Sequence, residues 1–282
     1  MKHLRIALVL AVAFAVPSAR AADYPEGATN RFQFELGGAW DSFNTEASLA
    51  ATRGGVANAG ATIDFEKLLD IPVMEQHVRL VGQWRFSNVS YVQVGYEKIG
   101  REGMRKIDKS LVWDDATFAA GGQIDGKFNS EEIYLGYRFD MFRADNVKVG
   151  ATIGFSKWAI DTSLTGNGYV TKPDGSTQTG NFVKGFDINA PVPVIGIVVD
   201  GAISKDVLFN FYVRALFLRL DVASGGTLSG GVNAKWYITK NFGLGGGADI
   251  STIKIKDYEK DDKLISANYS FAGPRLFVIA SF

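Results

Sequence analysis

The feature that most constrains this chain is a two-residue alternation of apolar and polar side chains that recurs along most of its length. From Glu131 to Met141, Ile133, Leu135, Tyr137, Phe139 and Met141 share one parity, and Glu132, Tyr134, Gly136, Arg138 and Asp140 share the other. Successive side chains of a β-strand point to opposite faces, so this segment has one face fit for hydrocarbon and one fit for water. The same division sets Phe32, Phe34, Leu36 and Trp40 against Gln33, Glu35 and Asp41, and Val78, Leu80, Trp84 and Phe86 against Arg79, Gln83 and Arg85. It returns in Val92, Val94 and Tyr96 against Gln93 and Glu97, in Val147 to Phe155 against Lys148, Thr152 and Ser156, and in Phe209 to Val213 against Asn210, Tyr212 and Arg214. Two further runs set Leu228 to Trp236 against Ser229, Asn233 and Lys235, and Phe242 to Ile250 against glycines, Asp249 and Ser251.

Membrane helices are excluded, because beyond residue 21 no stretch comes near the ~20 apolar residues a helical span needs. The connections supply a second signal. Short turns fall at Ser87-Asn88, Arg143 to Asn146, Ser204 to Asp206 and Thr239 to Asn241. Longer polar stretches lie at 47–75, 107–126 and 164–185, with shorter ones near 223–226 and 258–264. Short turns at one end and long loops at the other are how outer-membrane barrels are wired. With both termini on the short-turn side, the wiring predicts a closed antiparallel up-and-down transmembrane barrel of about ten strands, with eight to twelve as the range. Aromatic residues gather beside the short turns, as interfacial girdles require; a soluble sandwich would bury its large rings in a core instead.

Composition fits an exported barrel. Residues 1–21 read as a signal peptide: Lys2 and Arg5 open it, Ile6 to Val16 form an apolar run, and Ala19 and Ala21 occupy the small-residue positions of a cleavage site. Residues 22–282 are then the barrel domain, carrying 27 basic and 30 acidic groups once Lys2, Arg5 and Arg20 are removed. That slight negative charge argues against a nucleic-acid partner. The absence of cysteine means that the fold needs no disulfide.

The final segment places Leu276, Val278, Ala280 and Phe282 on one parity, so the chain ends on an outward aromatic. In this the sequence resembles the small outer-membrane β-barrel proteins of Gram-negative bacteria. Thr62 to Glu66, Leu68 to Ile71 and the strand Arg79 to Phe86 are similar to a pattern in uncharacterised, porin-like proteobacterial members. The resemblance implies a Gram-negative outer-membrane location, contact with outer-membrane lipids and lipopolysaccharide, and recognition of the last strand by the barrel-assembly machinery.

Catalytic parts are scarce. His77 is the single histidine beyond the leader, and it reads as an ordinary loop-edge residue beside Glu75. Omptin proteases resemble this chain in length and strand number, but they use an Asp-x-His pair, which does not occur here. A lipid-modifying hydrolase would need a hydroxyl within reach of His77, and Ser87 and Ser90 lie roughly 30 Å along the strand at ~3.3 Å per residue. Gly243 to Ala248 matches a dinucleotide-binding string, but it continues a strand where the chemistry needs a helix N-terminus, so it reads as close packing in a narrow barrel. Asp257 to Asp262 lacks the ligand spacing of a calcium loop and reads as a solvated loop. Nothing in the sequence calls for a metal or a cofactor.

The informative set is the expected lumen: Glu35, Asp41, Arg79, Arg85, Glu97, Glu132, Arg138, Asp140, Lys148, Arg214, Lys235 and Asp249. In a barrel this narrow, mixed charges either neutralise one another across the interior or line a thin water path for small solutes. The expected function is therefore a non-enzymatic barrel, structural or a narrow pore. The alternative is an adhesin-like barrel acting through its long loops, the stretch Gly166 to Phe186 being suited to a mobile surface segment, and a lipid-modifying outer-membrane enzyme using His77 ranks last.

Overall fold

A computed structural model describes residues 24–53, 56–57, 61–171, 176–220, 223–260 and 262–282. The signal-peptide segment, with Ala19 and Ala21, lies outside the described residues. Ten long strands form the barrel: β1 (Phe32–Arg53), β2 (Met74–Arg85), β3 (Ser90–Lys106), β4 (Gln123–Arg143), β5 (Val147–Thr171), β6 (Thr177–Ala202), β7 (Val207–Leu220), β8 (Ala223–Tyr237), β9 (Phe242–Lys260) and β10 (Lys263–Ser281). Each is antiparallel to its sequence neighbours, and β10 pairs back onto β1 from Gln33↔Ser281 to Ala51↔Lys263, which closes the ring. Reciprocal backbone bonds between Phe32 and Phe282 seal the last rung. The strand number, the closure and the short turns match the sequence reading.

The strands are far taller than a membrane requires. A tilted crossing takes ~9–11 residues, whereas β1 has 22, β5 has 25 and β6 has 26. Their burial pattern explains the excess. On the lower part of β1, Phe34 and Leu36 face outward and are half exposed, while Gln33, Glu35 and Asp41 are buried inside. Above Asp41 the strand keeps its two-residue period but exchanges the chemistry of its faces: Phe43, Ala47 and Leu49 now point inward and are buried. β4 switches between Glu132 and Phe128, β5 between Ser156 and Trp158, and β9 between Ser251 and Ile253. The solvent outside the barrel changes at that height from lipid to water, and the interior changes from polar to apolar.

Several stretches expected as loops are therefore strand. Residues 47–53 continue β1, and 123–126 begin β4. The described residues of the expected mobile segment Gly166 to Phe186 form a two-stranded ribbon, paired from Phe186↔Thr162 to Thr177↔Thr171. The polar stretches near 223–226 and 258–264 are hairpin arms joined at Leu220↔Ala223 and Lys260↔Lys263. Their polarity marks water-facing strand, not loop.

The upper barrel is filled. A short strand, Thr62–Asp64, pairs with Glu46–Ser48 of β1, and the chain then turns inward through the helix α1 (Phe65–Leu69) before rejoining the sheet as β2. Asp64 caps α1 by accepting the Lys67 backbone N–H, and Asp70 ends it in the left-handed region at φ 51°. Ile63, Phe65, Leu69 and Ile71 are almost wholly buried among Phe43, Trp113, Phe128, Phe186 and Tyr269. Gly103 permits the contact, because a Cβ there would meet the Leu69 carbonyl at 2.5 Å. From the top, a hairpin of Leu111–Trp113 and Ala116–Phe118 pairs with β5 and buries Trp113 completely.

One join in the wall is short. β2 and β3 are laddered only from Arg79↔Glu97 to Arg85↔Tyr91. Above that, Lys98–Lys106 of β3 pairs with β4 on one edge, and no ladder occupies the other among the described residues.

Candidate functional site

The candidate site is the polar lumen at the level of the apolar belt, bounded above by the α1 core. At the short-turn end, Tyr24 packs against a small cluster of Ala28, Leu208, Tyr237, Phe277 and Ile279. Narrowness sets the chemistry here: inward side chains from opposite walls meet, and a charge removed from water needs a partner close by.

Those partners are present for most of the charges. Asp249 of β9 is the hub. Its carboxylate faces the Arg79 Nη1 and Arg275 Nε atoms at 2.9 Å each, and it accepts the Tyr212 hydroxyl proton at 2.6 Å. Arg79 Nε also lies 3.6 Å from Glu97. Lower down, Arg138 sits 2.7 Å from both Asp140 and Asp200, and Asn210 donates to Asp200 at 2.7 Å. Tyr91 donates to Asp140 at 2.9 Å. Across the barrel, Lys235 reaches Glu35 at 2.5 Å, and Gln33 donates to the same Glu35 oxygen at 2.9 Å. Ser156 donates to Glu132. Glycines let the walls close around this network: at Gly245 a Cβ would stand 2.2 Å from the Phe277 ring.

The structure places all twelve charges of the expected lumen inside the barrel. Glu35, Asp41, Glu97, Arg138, Asp140, Lys148 and Asp249 are buried, and Arg79, Arg85, Glu132, Arg214 and Lys235 are half-buried. On the outer wall Leu276, Val278 and Phe282 are exposed and Ala280 is half-buried.

His77 is not a loop-edge residue. It is the fourth residue of β2, turned inward and buried, with Nε2 3.5 Å from Asp41 and 3.9 Å from Glu97. The strand begins opposite Ser42, at the top of the belt, and His77 lies opposite Ala39, so a residue near its start already belongs to the lumen. Neither ring nitrogen has a hydrogen-bonding partner among the described residues, so no hydroxyl is held for activation.

Among the described residues, Arg275, Asp200, Arg101 and Glu66 are charged residues of the interior that were not read from the sequence. Arg275 and Asp200 complete the ion pairs above. Arg275 stands on the parity opposite Leu276 and Val278 and was legible there; Asp200 follows inward-facing Val194 and Val198, which break the alternation. The other two form the latch that holds α1. Arg101 of β3, fully buried, donates to Glu66 of α1 at 2.6 Å, to Thr45 Oγ1 at 2.5 Å and to the Pro72 carbonyl at 3.3 Å. Its guanidinium lies over the Phe43 ring at 4.3 Å.

No protein-family model matches the chain, and no curated protein matches it. Among solved structures it is similar to the outer membrane protease OmpT from Escherichia coli, with 12% identity over 89% of this chain and 97% of that one, at a TM-score of 0.53. It also aligns with the toluene transporter TodX of P. putida (8% identity, 93% of each chain) and with Ail, the attachment invasion locus protein of Yersinia pestis (11% identity, 87% of this chain and 99% of that one). Their TM-scores of 0.37 and 0.28 are too low to bear on the fold. At 12% identity the likeness to OmpT concerns architecture alone, and the architecture is that of a small outer-membrane β-barrel.

Proposed function

We propose that this chain resides in the outer membrane as a closed, non-enzymatic barrel, a scaffold that lifts a rigid β-platform above the lipid and does not conduct solutes. The observation that carries this reading is the filled upper barrel, where Phe65, Leu69, Trp113, Phe128 and Tyr269 occupy the cross-section as one apolar core. A water path needs polar walls or a dewetting constriction that can open, and this region is packed like the interior of a soluble protein. The polar lumen beneath it is a blind chamber whose charges are mostly consumed in ion pairs. His77 stands beside Asp41 and Glu97 with no hydroxyl hydrogen-bonded to it among the described residues, which speaks against hydrolysis, and the Asp-x-His pair of omptins is lacking, so OmpT's protease activity is not carried over. Half of each tall strand stands above the belt with a polar outer surface, which suits a surface platform better than a channel.

Planar-bilayer recording on the purified protein tests this, with heat-shifted gel mobility as the check on folding. The folded protein should give no discrete current steps at either polarity up to about 90 mV, the upper end of resting potentials. Reproducible open-state steps from the folded wild-type chain would overturn the reading.

A further inference from the structure

Three basic residues of the lumen have no part in its ion-pair network among the described residues: Lys148, whose ammonium lies 3.7 Å over the Tyr24 ring, and Arg85 and Arg214. Arg79, Arg138, Lys235 and Arg275 each face a carboxylate. Arg85 and Arg214 have no carboxylate at ion-pair distance among the described residues. Arg85 donates to the Ala28 carbonyl at 2.6 Å and lies 4.7 Å over the Tyr91 ring. Arg214 donates to Gln93 Oε1 at 2.8 Å and lies 3.8 Å over the Tyr134 ring. In both, the Nε–H is buried and has no acceptor.

The two guanidinium groups line one cavity, whose lining at the short-turn end includes Tyr24 and Ala28. It leaves about 70 Å³ to the centres of water molecules, roughly five waters at ~15 Å³ each. Tyr91 and Gln93, the wall residues the arginines touch, are successive inward positions of β3, about 6.6 Å apart at ~3.3 Å per residue. Three of the acids that line the same cavity are paired with other cations, Glu35 with Lys235, Glu97 with Arg79 and Asp200 with Arg138, and Glu132 accepts from the Ser156 hydroxyl.

A buried cation without a counter-charge is costly. A guanidinium offers parallel N–H donors that match an oxyanion, and aromatic stacking fixes its plane while leaving those donors free. We propose that this cavity binds a small oxyanion, of the size of phosphate or a short carboxylate, clamped between Arg85 and Arg214 and admitted from the periplasmic end. The site does not depend on whether the barrel conducts, since it rests on the two arginines and not on a path through the wall.

Isothermal titration of the folded full-length barrel in a zwitterionic detergent tests it, with inorganic phosphate as the probe and acetate and chloride as parallel arms. Wild type should show saturable one-site binding of phosphate or acetate that is at least tenfold weaker for chloride. Arg85→Gln and Arg214→Gln should each weaken binding at least tenfold. Arg214→Lys, which keeps the charge and the fold but loses the fork, should lie between. Lys98→Gln, on the outer wall, should bind as wild type does. No saturable binding of either oxyanion, equal binding of chloride, or undiminished binding by Arg214→Gln would each overturn the proposal; the last two would leave diffuse charge or ordered water as the occupant.

Discussion

Replacing Arg101 by methionine removes the buried cation that holds α1 against the barrel wall, leaving the exposed Arg105, which donates to the Lys67 carbonyl and faces Asp70. The guanidinium is fully buried and makes three hydrogen bonds, to Glu66, Thr45 and Pro72. In the variant, the Glu66 carboxylate keeps only the Thr45 backbone N–H, at 2.8 Å. Removing one member of a buried pair costs about 3–5 kcal/mol, chiefly because the other is left as an uncompensated charge. Against this stand Ile63, Phe65, Leu69 and Ile71, which each contribute roughly 1.5–3 kcal/mol by burial, or about 6–12 kcal/mol together. The apolar term is the larger, so Arg101→Met should loosen α1 without ejecting it, and the barrel should remain folded. The double variant Glu66→Gln/Arg101→Met leaves no net charge behind and should recover about 1–3 kcal/mol relative to the sum of the single changes. Urea unfolding of the vesicle-inserted protein, followed by tryptophan fluorescence, reads this directly: Trp113 and Trp158 are buried in the upper core, while Trp40, Trp84 and Trp236 face outward. A loss below about 1 kcal/mol for Arg101→Met, or strictly additive losses in the double variant, would show that α1 is held by packing alone and that the latch reasoning is wrong.

The height at which lipid gives way to water can be located by charge scanning on one strand. Leu135→Arg should cost about 2–4 kcal/mol in the vesicle-folding equilibrium, and Asn129→Arg, on the same outer face six residues higher, less than about 0.5 kcal/mol; equal costs would refute the boundary drawn here. The short join between β2 and β3 predicts uneven amide exchange. Peptides covering Lys98–Lys106 should take up deuterium faster than those covering Ser90–Glu97, because amides on the unladdered edge have no strand partner; uniform protection along β3 would show that the seam is closed in solution.

The transmembrane half of this fold was legible because a membrane imposes a simple rule. Ile133, Leu135 and Tyr137 alternate with Glu132, Tyr134 and Arg138 because hydrocarbon lies on one side and a narrow polar lumen on the other, and no other environment asks for that pattern so regularly. The same rule explains what was missed. Each strand seemed to stop where its alternation stopped, near Asp41 on β1, Glu132 on β4 and Ser156 on β5. The period of two in fact runs on through those points with its sign reversed. Phe43 continues the parity of Asp41, Phe128 that of Glu132, and Trp158 that of Ser156, now as core residues with Asn44, Asn129 and Lys157 facing water.

This sign reversal also favours the proposed closed lumen over the narrow pore that composition left open. A pore would carry its polar parity the full height of the wall, so that the inward residues of β1 above Asp41 would resemble those below it. Instead they are Phe43, Thr45, Ala47 and Leu49, and Thr45 spends its hydroxyl on Arg101. The inward excursion at Phe65–Leu69 was hidden for a related reason. Its apolar residues Ile63, Phe65, Leu69 and Ile71 have no regular strand or helix period, because they leave the wall to meet the inverted parity of β1, β3 and β4. Only with that inversion in place does an apolar segment between two strands become the closure of the barrel.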